Sequence, residues 1–570
     1  MLSPIFTIEA ITTARRSRYF WVRCVYALFL LFMLIMTYVS HQQSRMFANQ
    51  GVANLARDFF NLFTGVQLTA IMLLTPALTA GTIAGELERK TLDYLLVSPL
   101  SSASILWGKL GARLLLAGLL IAGGVPVLAA AMLLGGIPPL NLLTTAVVSL
   151  ATLLVVGALS LGVSVWAVRT RDAILSSYIL LIALHVFPLM GSTMRGWHNG
   201  PLWNLLAEPL ADISELALHF TPYGAAYTPS LTHFLVAIGV QLTFAGLIVA
   251  YAAWRLRSLA ARRTGDEARR KRWLGPRLQY RPRLRHDAML WKEMFVEKTA
   301  LRWGCLVRAA LVGILGCILA SAVSTFLNAI AYGTNQIEGL YFIYGLVGTL
   351  TLLIATARGA TLITNERERD TWLTLTSTPL TAREIVRAKV RGNLYAMRWP
   401  VGLMLLLLAM ACVLKPELVL IVPLCLLDLA VLLTFCSAWG VQCSLTFASS
   451  TAAMWSAVGT VVLIGGGYWM CCGTMFAFVA INGNSQAAES LLMIALAPCM
   501  PFLLSFPAFL PEMHRNGSEA FAVFFAWVLG TIGYSVAAGL VYLGAINEFD
   551  TRAGRISESD QAVGRASRAP

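Results

Sequence analysis

One stretch of this sequence is written twice. Glu86-Leu-Glu-Arg-Lys-Thr-Leu-Asp-Tyr-Leu-Leu-Val-Ser-Pro-Leu-Ser ends at Ser101, and Glu366-Arg-Glu-Arg-Asp-Thr-Trp-Leu-Thr-Leu-Thr-Ser-Thr-Pro-Leu-Thr ends at Thr381. The offset is a constant 280 residues without a gap, and nine of the twenty-four positions from Glu86 to Lys109 are identical. Chance would give about one or two, since each residue type makes up roughly 5–10% of a chain. The shared residues are Glu86/Glu366, Glu88/Glu368, Arg89/Arg369, Thr91/Thr371, Leu95/Leu375, Pro99/Pro379, Leu100/Leu380, Ile105/Ile385 and Lys109/Lys389. The chain therefore contains an internal duplication.

The repeated stretch has a physical reading. Paired carboxylates and an arginine close a long apolar segment. A short helix follows, with Leu92, Leu95 and Leu96 at i, i+3, i+4 on one face. Pro99 and Pro379 stop it, because proline lacks an N–H and pushes the preceding residue out of the α region. A new helix starts at once. Thr381 and Glu384 fit a capping box, and Leu380 with Ile385 a hydrophobic staple. The first copy keeps Leu100, Ile105 and an N-cap at Ser101, but has Ser104 where the box wants Glu. The bland alternative is an elbow that merely joins two spans, which would not require the same charges twice.

The rest of the chain is apolar: 58% of residues are hydrophobic and only 12% charged, against about 25% charged in soluble domains. This excludes a soluble enzyme and predicts an all-α polytopic membrane protein. No polar stretch is long enough for a soluble domain of at least about 50 residues. Nine of the ten cysteines follow residue 300, mostly inside apolar runs and without CxxC spacing. They predict neither a disulfide framework nor a metal site. The net charge of +15 is concentrated, with twelve Lys/Arg between Arg255 and Arg285 against Asp266 and Glu267. That is the basic loop of the positive-inside rule and needs no nucleic acid, although anionic lipid headgroups are a possible contact.

Taken in order, residues 2–20 with Glu9, Arg15, Arg16 and Arg18 read as an amphipathic elbow before a first span at about Trp21–Tyr38. With no small-residue cleavage site after it, this run reads as an anchor rather than a signal peptide. Five further spans follow, at about Leu62–Ile83, Leu110–Leu134, Leu142–Val168, Ala173–Met190 and Leu231–Trp254. The second half repeats the layout. Lys292-Glu293 to Arg302 parallels the elbow, and spans fall at about Trp303–Phe326, Gly339–Ile363, Trp399–Val413, Leu418–Thr446, Ala452–Ala480 and Phe521–Ala545. This gives about twelve transmembrane helices as two tandem six-helix units: 1–255, a basic linker 256–290, 291–546, and a polar, disordered tail 547–570. The loop charges put both termini and both repeated motifs in the cytoplasm. Two proline-broken apolar segments, 201–229 and 487–514, read as short re-entrant or interfacial helices on the outer face.

Asp428 lies deep in the tenth span, where a carboxylate is expensive. It reads as a buried hydrogen bond to Ser, Thr or Trp, with a proton or substrate role as the alternative. His185 reads as an interhelical hydrogen bond rather than a ligand. Gly465-Gly-Gly reads as a flexible or closely packed helix segment. Asn516-Gly-Ser is a glycosylation sequon only in a secretory eukaryote.

The pattern Glu-x-Glu-Arg-x-Thr-Leu-Asp-x-Leu-Leu-x-Ser-Pro-Leu-Ser after the second span of a six-span unit resembles the membrane subunit of ABC-2-type (type V) ATP-binding-cassette exporters. The resemblance covers both halves, roughly 1–255 and 290–546, and is specific at the motif and loose elsewhere. It implies a transport permease, with two permease halves fused into a pseudo-dimer in one chain. It also implies that the repeated element is a coupling helix docking on a cytoplasmic ATPase, through Glu86, Glu88, Arg89, Thr91, Leu95 and Pro99 and through Glu366, Glu368, Arg369, Thr371, Leu375 and Pro379. The family often has glycine before the Thr-Leu; here Lys90 and Asp370 stand there, and Trp372 replaces leucine, so the halves could couple unequally. The sequence has no Gly-x-x-x-x-Gly-Lys-Ser/Thr. ATP and magnesium are therefore expected on separate ATPase subunits, with no catalytic residue, metal or cofactor on this chain. The location implied is an integral protein of the bacterial inner (plasma) membrane, in contact with lipid. The competing readings are a non-transporting scaffold of an ATPase-linked machine and, less well supported, a membrane-embedded enzyme. Substrate and direction stay open.

Overall fold

The computed structural model describes residues 4–14, 17–43, 52–132, 139–167, 170–194, 231–270, 287–296, 305–332, 337–368, 370–467, 497–509 and 517–553. All regular elements among them are helices. Two compact units are formed, one by residues 1–278 with 301–319, the other by 279–300 with 320–570.

The first unit runs α1 (Pro4–Ala14), α2 (Ser17–Gln43), α3 (Val52–Thr79), α4 (Gly81–Glu88), α5 (Leu92–Val97), α6 (Ser102–Met132), α7 (Pro139–Trp166), α8 (Thr170–Met194) and α9 (Leu231–Arg270). Helix α3 packs on α6 and α7, α7 on α9, and the small helix α1 lies along α6. The core around the repeated motif joins Ile83, Leu92, Leu106, Leu110, Leu161 and Val249. The apolar periodicity that predicted a short helix after Glu88 thus buries Leu92 in that core, with Leu96 packed against it.

Next come α10 (Ala288–Trp291, continued by a π turn Lys292–Val296), α11 (Cys305–Tyr332), α12 (Glu338–Gly359), α13 (Thr364–Glu368), α14 (Trp372–Thr376), α15 (Ala382–Ala396), α16 (Arg398–Leu414), α17 (Val422–Thr446), α18 (Ser450–Val462), α19 (Met500–Phe509) and α20 (Gly517–Ala553). Within the second unit, α12 and α20 both pack on α17. The α12–α17 crossing is close because Gly440 lets the backbones meet: a Cβ there would stand 2.7 Å from the Thr356 carbonyl oxygen. Small residues at such crossings are how apolar helices approach in a membrane.

Eight described helices are long and apolar enough to cross a membrane, or nine if α15 and α16 are one span bent by 48°. The bend has a local cause. Pro400 cannot donate to the carbonyl of Ala396 and its ring crowds that turn, whereas α6 carries Leu120 at the matching position and runs unbroken. The last helix continues past Asn547 to Ala553, into the stretch expected to be a disordered tail. Phe549 explains this, being fully buried and set edge-on against Trp372 at 5.4 Å between ring centroids. Helix α9 likewise extends into the basic linker, to Arg270. Of the two proline-broken segments, 201–229 lies outside the described residues, and 500–509 is helical.

Candidate functional site

In both units the second span breaks just before the motif, and in both a serine from a neighbouring helix receives the freed backbone. Helix α3 ends at Thr79 and α4 begins at Gly81, so the first N–H groups of α4 have no partner within the helix. Ser164 of α7 supplies one: its hydroxyl oxygen accepts from the N–H of Ile83 at 3.1 Å and of Ala84 at 2.9 Å. In the second unit Ser444 of α17 accepts from Ile363 and Thr364, each at 2.9 Å. Ser164 and Ser444 are again 280 residues apart.

The exit from α4 and α13 is a Schellman turn in both copies. Thr91 N–H donates to Glu86 O at 2.9 Å and Lys90 N–H to Leu87 O at 3.1 Å. Thr371 N–H donates to Glu366 O at 2.9 Å and Asp370 N–H to Arg367 O at 3.2 Å. The turn puts Lys90 and Asp370 in the left-handed region, each with φ of 58°. This is the position the resemblance gives to glycine, and the geometry says why. The following helix closes with a hydroxyl: Ser98 donates to Leu95 O at 2.6 Å and Thr378 to Leu375 O at 2.7 Å.

The first acid of each motif points inward. The Glu86 carboxylate accepts from the Thr91 hydroxyl on one oxygen and from Lys109 Nζ at 3.1 Å on the other. Lys109, only 3% exposed on α6, also reaches Glu9 of α1 at 2.7 Å. In the second unit Glu366 accepts from the Thr371 hydroxyl and from Lys389 Nζ at 3.0 Å. Lys389, completely buried on α15, lies 2.6 Å from Glu293. A lysine thus ties three elements in each unit: the elbow, the end of span two and the start of span three. We call this arrangement the lysine lock.

Two carboxylates need two cations when buried, and each unit finds the second one in a different place. In the first, Arg113 lies 3.8 Å from Glu9. Its counterpart Asn393 is neutral and donates instead to Ala355 O at 2.8 Å and to Ser437 Oγ at 3.1 Å. The missing charge comes from the elbow, where Lys292 reaches Glu366 at 3.0 Å. Burial pushes the Glu366 carboxyl up, but the Lys389 ammonium, with hydrogen bonds from Thr371, Lys389 and Lys292, outweighs it and holds the group at about 2. Gly392 makes room for the elbow, since a Cβ there would sit 2.6 Å from Glu293 Cβ.

The second acid caps a different helix. Glu88 accepts from the Thr170 N–H at 3.3 Å and hydroxyl at 2.8 Å at the start of α8. Glu368 accepts from the Ser450 N–H at 2.8 Å at the start of α18. A carboxylate at a helix N-terminus compensates its dipole. The helix each acid caps is that of the expected fifth span, α8 in the first unit and α18 in the second.

Among the remaining sequence candidates, Leu375 is buried and Leu95 half-buried, while Arg89, Pro99 and Pro379 are exposed. Arg369 lies outside the described residues. Trp372 takes the leucine position by filling the space beside Phe549, with the Arg367 guanidinium 4.8 Å from its ring centre. Asp428 makes the buried hydrogen bonds expected of it: Trp527 Nε1 and the Thr531 hydroxyl of α20 donate to its two oxygens, the latter at 2.7 Å. His185 lies in α8, and its side chain is outside the described residues, as is the Asn516 sequon. Among the described residues no group of His, Cys, Asp or Glu is placed to hold a metal ion.

The sequence reading missed the lysines and the serines. Lys109 and Lys389 stand among the nine identities, so their signal was present and unassigned. Ser164/Ser444 and Thr170/Ser450 keep the same offset further along. Glu9 and Glu293 are 284 apart, and that shift of four hides their equivalence from an ungapped comparison.

No curated protein matches the chain. A family model described as ABC-2 family transporter protein matches residues 4–257, the whole of the first helical unit as far as the membrane end of α9. The polytopic helical fold makes the protein an integral membrane protein, and that match marks its residues 4–257 as similar to an ABC-2-type permease.

Proposed function

We propose that the chain is a fused permease in which two six-helix halves, about twelve spans in all, serve an exporter driven by separate ATPase subunits. The observation that carries this is the lysine lock built twice, on the same acid, threonine and lysine at an offset of 280 residues. Only the first copy lies in the family match. The second repeats its backbone hydrogen bonds, from the serine cap to the Schellman turn, which supports a common origin and a common task.

The mechanics follow from the connections. Force applied to α5 or α14 reaches α4 or α13 through a three-bond turn rather than a flexible loop. From there the lysine passes it to the elbow and to span three, and Glu88 or Glu368 passes it to the helix of span five. A rigid assembly of this kind suits a two-state transmission between an ATPase and the spans. On this reading both elbows and both termini face the cytoplasm of a bacterial plasma membrane, ATP and magnesium are held by the partner, and no chemistry falls to this chain.

The experiment is reconstitution of the full chain, in proteoliposomes, with the ATPase that co-purifies with it. ATP hydrolysis and export should both fall by about tenfold or more for the double variant Lys109→Met, Lys389→Met, with the chain still inserted. Full hydrolysis and complex formation with no transport of any lipid, glycan or peptide tested would favour the scaffold reading.

A further inference from the structure

The internal repeat works as a two-row alignment, in which the lysine lock is kept and the exposed face of the short helix is not. The lock positions are the same: Glu86/Glu366, Thr91/Thr371 and Lys109/Lys389. The most exposed positions of α5 and α14 differ, while the exposed pairs Glu88/Glu368 and Pro99/Pro379 beside them are shared. Tyr94 is 80% exposed and Val97 87%, while their counterparts are the hydroxyl residues Thr374 and Ser377. Leu373, 78% exposed, stands where the first copy has exposed Asp93. At the apex the backbone is identical, φ 58° in both, and the charge is reversed from Lys90 to Asp370.

We propose that the two repeated motifs, at α5 and α14, receive two non-identical ATP-binding units: one presents a carboxylate to Lys90 and an apolar pocket to Tyr94 and Val97, the other a Lys or Arg to Asp370 and a narrower aliphatic pocket to Leu373. This rests on the coupling role proposed above. A surface complementary to one apex would place a like charge against the other, and repulsion of that kind is how interfaces discriminate between partners. Two identical ATPases would instead favour the same outward residues in both copies.

The test uses the full chain in its native host with a photoreactive benzophenone side chain, Tyr94→p-benzoylphenylalanine in one strain and Thr374→p-benzoylphenylalanine in another. Crosslinked peptides are identified by mass spectrometry. The expected result is two different ATP-binding-cassette sequences, one for each position, on two subunits or on two cassettes of one polypeptide. Adding Lys90→Asp should lower the product from position 94 about tenfold or more and leave that from position 374 unchanged. The same cassette sequence at both positions, or a cassette at only one, overturns the proposal while leaving the permease reading in place. Proteins without Walker motifs at both positions would overturn both.

Discussion

Lys389 is fully buried and holds its ammonium 2.6 Å from the Glu293 carboxylate, joining the elbow of the second unit to the start of its third span. Such a pair has little use as a source of stability, because desolvating both charges offsets most of their attraction. Its consequence is specificity of position. Removing one partner strands the other in a place where water cannot reach it.

Lys389→Met should therefore cost about 3–5 kcal/mol in the second unit, the range for a broken buried pair. Lys109→Met should cost less, since Glu86 is 29% exposed and Arg113 remains beside Glu9. Thermal unfolding in detergent, read by intrinsic fluorescence, gives the order. Adding Glu366→Gln to Lys389→Met should recover part of the loss, and a double variant less stable than the single one would contradict the lock.

Acid should loosen the second elbow. Glu366 is held at about 2 in the folded chain, below the roughly 4.3 of a free glutamate. A depressed carboxyl contributes stability above its unfolded value and loses it as pH falls toward its folded one. Wild-type stability should thus decline between about pH 4.5 and 2, and Glu366→Gln should show a shallower decline over the same window. Parallel curves for the two proteins would remove Glu366 as the cause.

Ser164→Ala and Ser444→Ala each take the acceptor away from two buried N–H groups, at a cost of about 1–3 kcal/mol. The effect should be local. Hydrogen exchange at Ile83 and Ala84 should speed up in the first variant, at Ile363 and Thr364 in the second, and each variant should leave the other pair protected.

The left-handed apex offers a gain. Lys90→Gly and Asp370→Gly remove a side chain from a conformation that costs an ordinary residue about 1–2 kcal/mol, partly offset by glycine's greater freedom when unfolded. Lys90→Gly should raise the melting temperature more than Asp370→Gly, because aspartate tolerates this region better. Lys90→Val should lower it.

The membrane class, the repeat, the capping box at Thr381 and Glu384 and the partners of Asp428 by type were all legible in the sequence. Periodicity and cap chemistry are local, and the repeat itself supplies a comparison. The direction of the acids was not legible. Glu86 and Glu88 are two apart in sequence, yet one turns to a lysine on α6 and the other to the start of α8, and only packing decides that. Cross-chain caps such as Ser164 are invisible for the same reason: the donors they serve lie 80 and 81 residues away. The break between α15 and α16 was written in Pro400, but its angle depends on what the two pieces lean against.

The second cation of each lock comes from a different element, Arg113 in one copy and Lys292 in the other. A gene conversion that overwrote residues 86–113 with 366–393 would import Asn393 without Lys292, leaving two acids around one lysine. The heritable block is therefore larger than the conspicuous motif and must include the elbow. Overwriting the first copy with the second is thus opposed by electrostatics unless the block brings Lys292 along with it.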